Sequence, residues 1–184
     1  MFIVDLSPLG FGTRNGPDTV NFGYMDETKY NEPIAYAPVP TGQPFGASKR
    51  HASQLATVGC GTTFPLSTFN AMADTGQVLN ILPQTICNYL HESVTGASET
   101  SGGQIYFQSD SPLPAFWLGV GSKRVPIASY VFIWDNISNN MCMGSWQCGT
   151  DSGGAVFGML AFEAFFVVHD FAVHDFVNMQ IGFF

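Results

Sequence analysis

Twenty glycines and eleven prolines are spread along the 184 residues of this chain, and the apolar segments between them are short. That punctuation is the strongest constraint on the fold. Turn residues at close intervals leave room for strands of about 4–8 residues and not for a succession of long helices. Seventeen phenylalanines, together with valines, threonines and tyrosines, suit half-buried pleated surfaces. With 46% apolar residues the chain can bury a sizeable core, so one all-β domain is expected over residues 1–184.

Charge narrows the partners. Six basic side chains against fourteen acidic ones give a net charge of −8, and so few cations release few counterions from a phosphate backbone. Nucleic-acid binding is not expected. No apolar run reaches the ~18 residues a membrane helix requires, so no membrane association is expected either. Met1-Phe2-Ile3-Val4 runs straight into Asp5, which gives no basic n-region and predicts no signal peptide in this chain. Cys60, Cys87, Cys142 and Cys148 contain no C-x₂-C pair and so no zinc pattern. They could form two bridges, with three pairings possible. Asn136-Ile137-Ser138 is a glycosylation sequon, used only in a secreted protein.

Strands are expected at 20–24, 34–36, 69–73, 78–82, 105–107, 115–120, 125–133 and 166–176. Residues 42–62 show no clear period. Ile86, Tyr89 and Leu90 at helical spacing predict one short helix from Pro83 to about Glu92, with Pro83 in its first turn. Gly96 to Gly103 reads as a polar hairpin tip, Gly149 to Gly154 as a turn, and Ala155 to Phe166 as an apolar stretch with a second helical turn.

Ala73-Asp74-Thr75-Gly76 lies between two apolar strands, followed by Gln77-Val78-Leu79-Asn80-Ile81-Leu82 and Pro83. An Asp-Thr-Gly tripeptide alone is an ordinary turn. Its order of strand, turn, hydrophobic run and Pro-started helix resembles the second active-site loop of pepsin-like fungal aspartic proteases. Val20 to Asp26 resembles the opening hairpin of that family's C-terminal lobe. Leu113-Pro114-Ala115-Phe116 with Gly119-Val120-Gly121 resembles a later strand pair, and Val156-Phe157-Gly158 the segment under the active-site loop.

The resemblance implies an all-β, single pepsin-type lobe with one or two short helices, whose N-terminal lobe is absent from residues 1–184. It implies an aspartic-type endopeptidase acting at acid pH on peptide or protein substrate, without cofactor or metal. Asp74 would be one member of a carboxylate dyad, Thr75 would fix the loop at the lobe junction, and Gly76 and Gln77 would line the substrate cleft. The second carboxylate would come from the missing N-terminal lobe or a homodimer mate. Extracellular or vacuolar localisation follows by the same resemblance. The alternative is a catalytically inactive lobe that binds peptide or protein. Several positions depart from the family pattern, among them Cys60, Cys87 and Cys148, which have no counterpart in it, and residues 42–62, which lack its tryptophan and aromatic strand. Gln77 replaces a Ser or Thr, Gln108 replaces the cysteine that would pair with Cys142, and Met159 replaces an acid.

Two rival motifs are weaker. Cys148-Gly149-Thr150-Asp151-Ser152-Gly153-Gly154 mimics the nucleophile loop of trypsin-like serine proteases, but Thr150 stands where Gly is required and no His has the right setting. His169-Asp170 and His174-Asp175 form a five-residue duplication. Odd spacing on a strand would send the two histidines to opposite faces, which argues against a metal site.

Overall fold

The structure, a computed structural model, describes residues 2–5, 19–29, 33–38, 52–60, 67–114, 116–120, 123–137, 139–150, 154–163, 167–170 and 180–183. In chain order the first strands are β1 (Phe2–Asp5), β2 (Thr19–Phe22), β3 (Ala35–Pro38), β4 (Ala52–Cys60), β5 (Ser67–Ala73) and β6 (Asn80–Leu82). Helix α1 (Gln84–Ser93) follows, then β7 (Ser98–Glu99), β8 (Gln104–Gln108), β9 (Phe116–Val120) and β10 (Lys123–Ile127). The chain continues with β11 (Ile133–Ile137), β12 (Met141–Cys148), β13 (Ala155–Phe157), helix α2 (Met159–Phe162), β14 (Val167–Asp170) and β15 (Gln180–Phe183). The expected all-β class is what the chain adopts, with two short α-helices among the described residues where one or two were expected.

Among the described residues the strands form two sheets. One has the order β2–β1–β14–β15–β3; the other runs β10–β9–β4–β5–β13–β6–β12–β8–β7, with β11 added on β12. Most pairs are antiparallel, but β13 runs parallel to β5 and β12 parallel to β6. The principal core lies against the larger sheet. Phe107 stacks on Trp146 at 5.8 Å between ring centroids, and Phe132 meets the same indole edge-on at 5.6 Å. Such pairs add about 0.5–1.5 kcal/mol each beyond their area burial. Ile86 and Leu90 of α1, one turn apart, press into this cluster. A separate small cluster, Ile3 and Val168 with Met25, Ile34 and Tyr36, covers the five-stranded sheet.

Several expectations require correction. The predicted strand at 125–133 is two strands separated by a 3₁₀ turn at Ser129–Phe132. Val131 and Phe132 are consecutive and both buried; a strand would have sent one of them to solvent. The strand at 78–82 shrinks to Asn80–Leu82 for a related reason, since Leu79 and Asn80 are both buried. Pro83 caps α1 from outside, with ψ at 145°, instead of lying in its first turn. The hairpin tip at 96–103 contains the short strand β7, paired with β8. Residues 52–60, inside the stretch without clear period, form β4 between β5 and β9. The sequence pattern predicts neither β1 nor the left-handed pair Asn139–Asn140 that turns β11 into β12. Of the strand expected at 166–176, Val167–Asp170 is observed and the rest lies outside the described residues.

The cysteine pairing, open in the sequence, is now decided in part. Cys87 and Cys148 form a disulfide with a Cα–Cα distance of 5.6 Å, whereas Cys142 is a free, buried thiol, so the four do not make two bridges. Cys142 Sγ donates to Asn136 Oδ1 at 2.9 Å. Gln108 lies on β8 opposite Met141, next to the position opposite Cys142, and is exposed.

Candidate active site

The loop carrying Asp74 owes its shape to one insertion. Strands β5 and β6 are joined through residues 74–79, and β13 comes from far along the chain to lie between them. Ala71, Met72 and Ala73 pair in parallel with Ala155, Val156 and Phe157, while Val156 also pairs with Ile81 on the other side. Two strands held apart by a third cannot close through a tight hairpin. The connection therefore bows outward, with Asp74 at the exit of β5.

Backbone hydrogen bonds fix that bow. Asp74 N–H donates to the Phe157 carbonyl at 2.9 Å, continuing the β5–β13 ladder by one residue. Gln77 N–H donates to the Asp74 carbonyl at 3.1 Å and closes the turn. The Gln77 carbonyl in turn accepts from Met159 N–H at 2.8 Å. Gly158 N–H donates to Oδ1 of Asn80 at 3.0 Å. Asn80 is only 8% exposed, so this is a buried polar contact whose loss would leave an unpaired donor.

Gly158 is required by space. A Cβ there would lie 2.5 Å from the Gln77 carbonyl oxygen, 2.9 Å from that of Val78 and 2.8 Å from that of Leu79. Three backbone carbonyls of the Asp74 loop thus wrap the α2 entry so closely that no side chain fits.

The carboxylate itself is half-buried. Its Oδ1 accepts the Gly76 N–H at 2.9 Å, an Asx-type contact that aims the side chain back over its own turn. Among the described residues the other oxygen has no partner, so one oxygen is anchored and one is open. A Cβ on Gly76 would sit 3.2 Å from Oδ1, crowding this contact. Thr75 is exposed, with no hydrogen-bond partner among the described residues. Gln77 is half-buried and held by its backbone; no hydrogen bond joins its side chain to the Asp74 carboxylate. It therefore does not take over the contact a Ser or Thr hydroxyl would make.

Structure thus brings Asp74, Thr75, Gly76 and Gln77 into one loop and sets Met159 against it through backbone. Sequence reading overlooked Asn80 and gave Gly158 no stated reason. An Asn inside the apolar run Val78-Leu79-Asn80-Ile81-Leu82 is the available signal, since a polar side chain carried into a core needs a partner. Of the rival motifs, residues 151–153 of the serine-protease-like loop lie outside the described residues, and Cys148 before them is spent in the disulfide. His174 and the side chain of His169 also lie outside them.

A sheet-borne Asp-Thr-Gly loop braced by an inserted strand is consistent with the acid-protease resemblance, and comparison with known proteins shows the family. The family model for eukaryotic aspartyl protease matches residues 1–183. The chain belongs to that family. It is 36% identical over 157 residues to endothiapepsin of Cryphonectria parasitica, covering 84% of this chain and 36% of the relative. To penicillopepsin-1 of Talaromyces stipitatus it is 28% identical over 171 residues, covering 92% of this chain and 41% of the relative. Aspergillopepsin-1 of Aspergillus oryzae is 27% identical over 158 residues, with coverages of 85% and 39%. The chain therefore spans about two-fifths of the length of these relatives.

Proposed function

We propose that this chain is the C-terminal lobe of an aspartic endopeptidase and supplies Asp74 as one of the two carboxylates that cleave peptide bonds at acid pH. The observation that carries this reading is the Asp74 carboxylate itself, with one oxygen held by Gly76 N–H and the other without a partner among the described residues. Family membership over residues 1–183 supplies the reaction class.

The chemistry needs a pair. As established for aspartic proteases as a class, two neighbouring carboxylates share one proton, because both cannot ionise side by side. The ionised member takes a proton from water while the protonated member gives its own to the scissile carbonyl oxygen. Water oxygen bonds to the carbonyl carbon; collapse then breaks the C–N bond and the departing nitrogen takes a proton. Asp74 fills one role and its partner the other. In this reading Thr75, exposed beside it, hydrogen-bonds an equivalent loop, and Gly76 and Gln77 line the approach of an extended substrate.

The second carboxylate comes from a complementary lobe or from another copy of this chain. Val20 and Phe22 of β2, at the edge of the five-stranded sheet, are 50% and 73% exposed and suit contact with either. Secretion belongs to the same reading. It is supported by the Cys87–Cys148 bridge, which persists in oxidising compartments, and by the exposed sequon residue Asn136.

The test is digestion of denatured protein at acid pH by the chain alone and by the chain mixed with the part of endothiapepsin it does not match. Activity of the lone chain rising with the square of its concentration would assign the second carboxylate to a homodimer. Activity only in the mixture would assign it to a complementary lobe. Absence of activity in both would leave the second reading, a lobe that binds peptide without cleaving it.

A further inference from the structure

Away from Asp74, three chemically compatible groups meet near the end of α1. Ligand atoms of His91, Glu99 and Cys148 all lie within 4.8 Å of one another. They arrive from the last turn of α1, from β7 and from the end of β12. Cys148 is bonded to Cys87, which sits four residues before His91 on α1 and therefore on the same helical face. Nε2 of His91 is shielded from solvent and has no hydrogen-bond partner among the described residues. A shielded imidazole nitrogen without a partner forfeits a hydrogen bond it would make in water. The imidazole that carries it also gathers with a sulfur and a carboxylate, as a metal ligand would.

We propose that Cys87, His91, Glu99 and Cys148 form a latent site for a borderline-soft divalent cation, zinc by ligand type, which opens when the Cys87–Cys148 disulfide is reduced. In the oxidised chain both sulfurs are spent on each other, leaving one imidazole and one carboxylate. A dithiol reductant delivers two electrons and two protons to the disulfide and becomes a disulfide itself. Each thiol then loses its proton as it binds the cation. Two thiolates, an imidazole and a carboxylate match the sulfur, nitrogen and oxygen donors of tetrahedral zinc, at about 2.0–2.3 Å from the metal. Glu99 is exposed and gives the cation its way in, while Cys87 is fully buried and closes the inner side. The site is independent of the Asp74 reading and stands whether or not the chain cleaves peptides.

The test uses Co²⁺ as probe, on the full chain, before and after reduction by a phosphine or dithiol. The reduced chain is expected to bind one equivalent, with thiolate-to-cobalt charge-transfer absorption and the visible bands of a tetrahedral ion; the oxidised chain is expected to show neither. Loss of even an outer-shell partner of a metal costs about 10–100-fold in affinity, so His91→Ala should weaken binding by at least about tenfold. Glu99→Gln should weaken it in the same direction. A reduced chain that stays folded yet binds no more Co²⁺ than the oxidised one overturns the proposal. So does binding that is undiminished in both variants. Should reduction loosen the fold, Zn²⁺ added to the reduced chain must restore its near-ultraviolet circular dichroism; failure to do so overturns the proposal equally.

Discussion

The backbone N–H of Gly158 donates to Oδ1 of Asn80 at 3.0 Å, joining positions 78 residues apart beneath the Asp74 loop. Both residues are buried. Removing the acceptor strands a donor that water cannot reach, at a cost of about 1–3 kcal/mol. Asn80→Leu, close in volume, is therefore expected to lower unfolding free energy by about that amount. Urea denaturation of the two proteins measures it, and an unchanged midpoint would mean the N–H has found another partner.

Gly158→Ala acts on the same support by crowding. The new methyl would meet carbonyl oxygens of Gln77, Val78 and Leu79 at 2.5–2.9 Å, and backbone cannot swing aside as a flexible side chain can. Overpacking typically costs about 1–3 kcal/mol. Here the relief must come from the Asp74 loop, so hydrogen-exchange protection at Asp74 and Gln77 should fall more than at Ile105 or Phe107 in the core.

The disulfide closes a sequence separation of 61 residues. Loop-closure entropy in the unfolded chain makes a bridge of that span worth about 4 kcal/mol. Cys87→Ser together with Cys148→Ser is expected to lower the thermal midpoint sharply in metal-free buffer. A midpoint equal to that of the oxidised parent would show that the bridge contributes nothing.

Cys142 sets a pH dependence at the alkaline end. Burial, and secondarily the negative charge of Asp135, push its thiol above the ordinary value of 9.0. Once unfolded, the same thiol ionises at the ordinary value. Between the two values the unfolded chain holds fewer protons than the folded one, so stability falls as pH rises through 9.0 and upward. Cys142→Ala should flatten that part of the stability curve. Native Cys142 should also react far more slowly with an aromatic disulfide reagent than in denaturant.

Much of this was legible in the chain because its signals are local. Turn residues at close intervals gave the all-β class, the spacing of Ile86, Tyr89 and Leu90 gave α1, and the setting of Asp74-Thr75-Gly76 gave the family. What escaped depends on partners distant in sequence. β4 is a strand because β5 and β9 flank it, with no alternation of its own to announce it. The 3₁₀ turn at Ser129–Phe132 exists because two neighbouring residues must both reach the core. The pairing of Cys87 with Cys148, and the meeting of His91 with Glu99 beside it, arise only once α1, β7 and β12 are packed together.

The central claim is that Asp74 is a catalytic carboxylate, and Asp74→Asn tests it most directly. Asn keeps an Oδ1 to accept the Gly76 N–H, so the turn survives while the ionisable group is lost. Cleavage of denatured protein should be compared at acid pH for the parent and the variant, each alone and with the complementary part of endothiapepsin. The expected result is peptide release by the parent and none above background by the variant. Equal release by both proteins, or none by the parent in either setting, would contradict the claim.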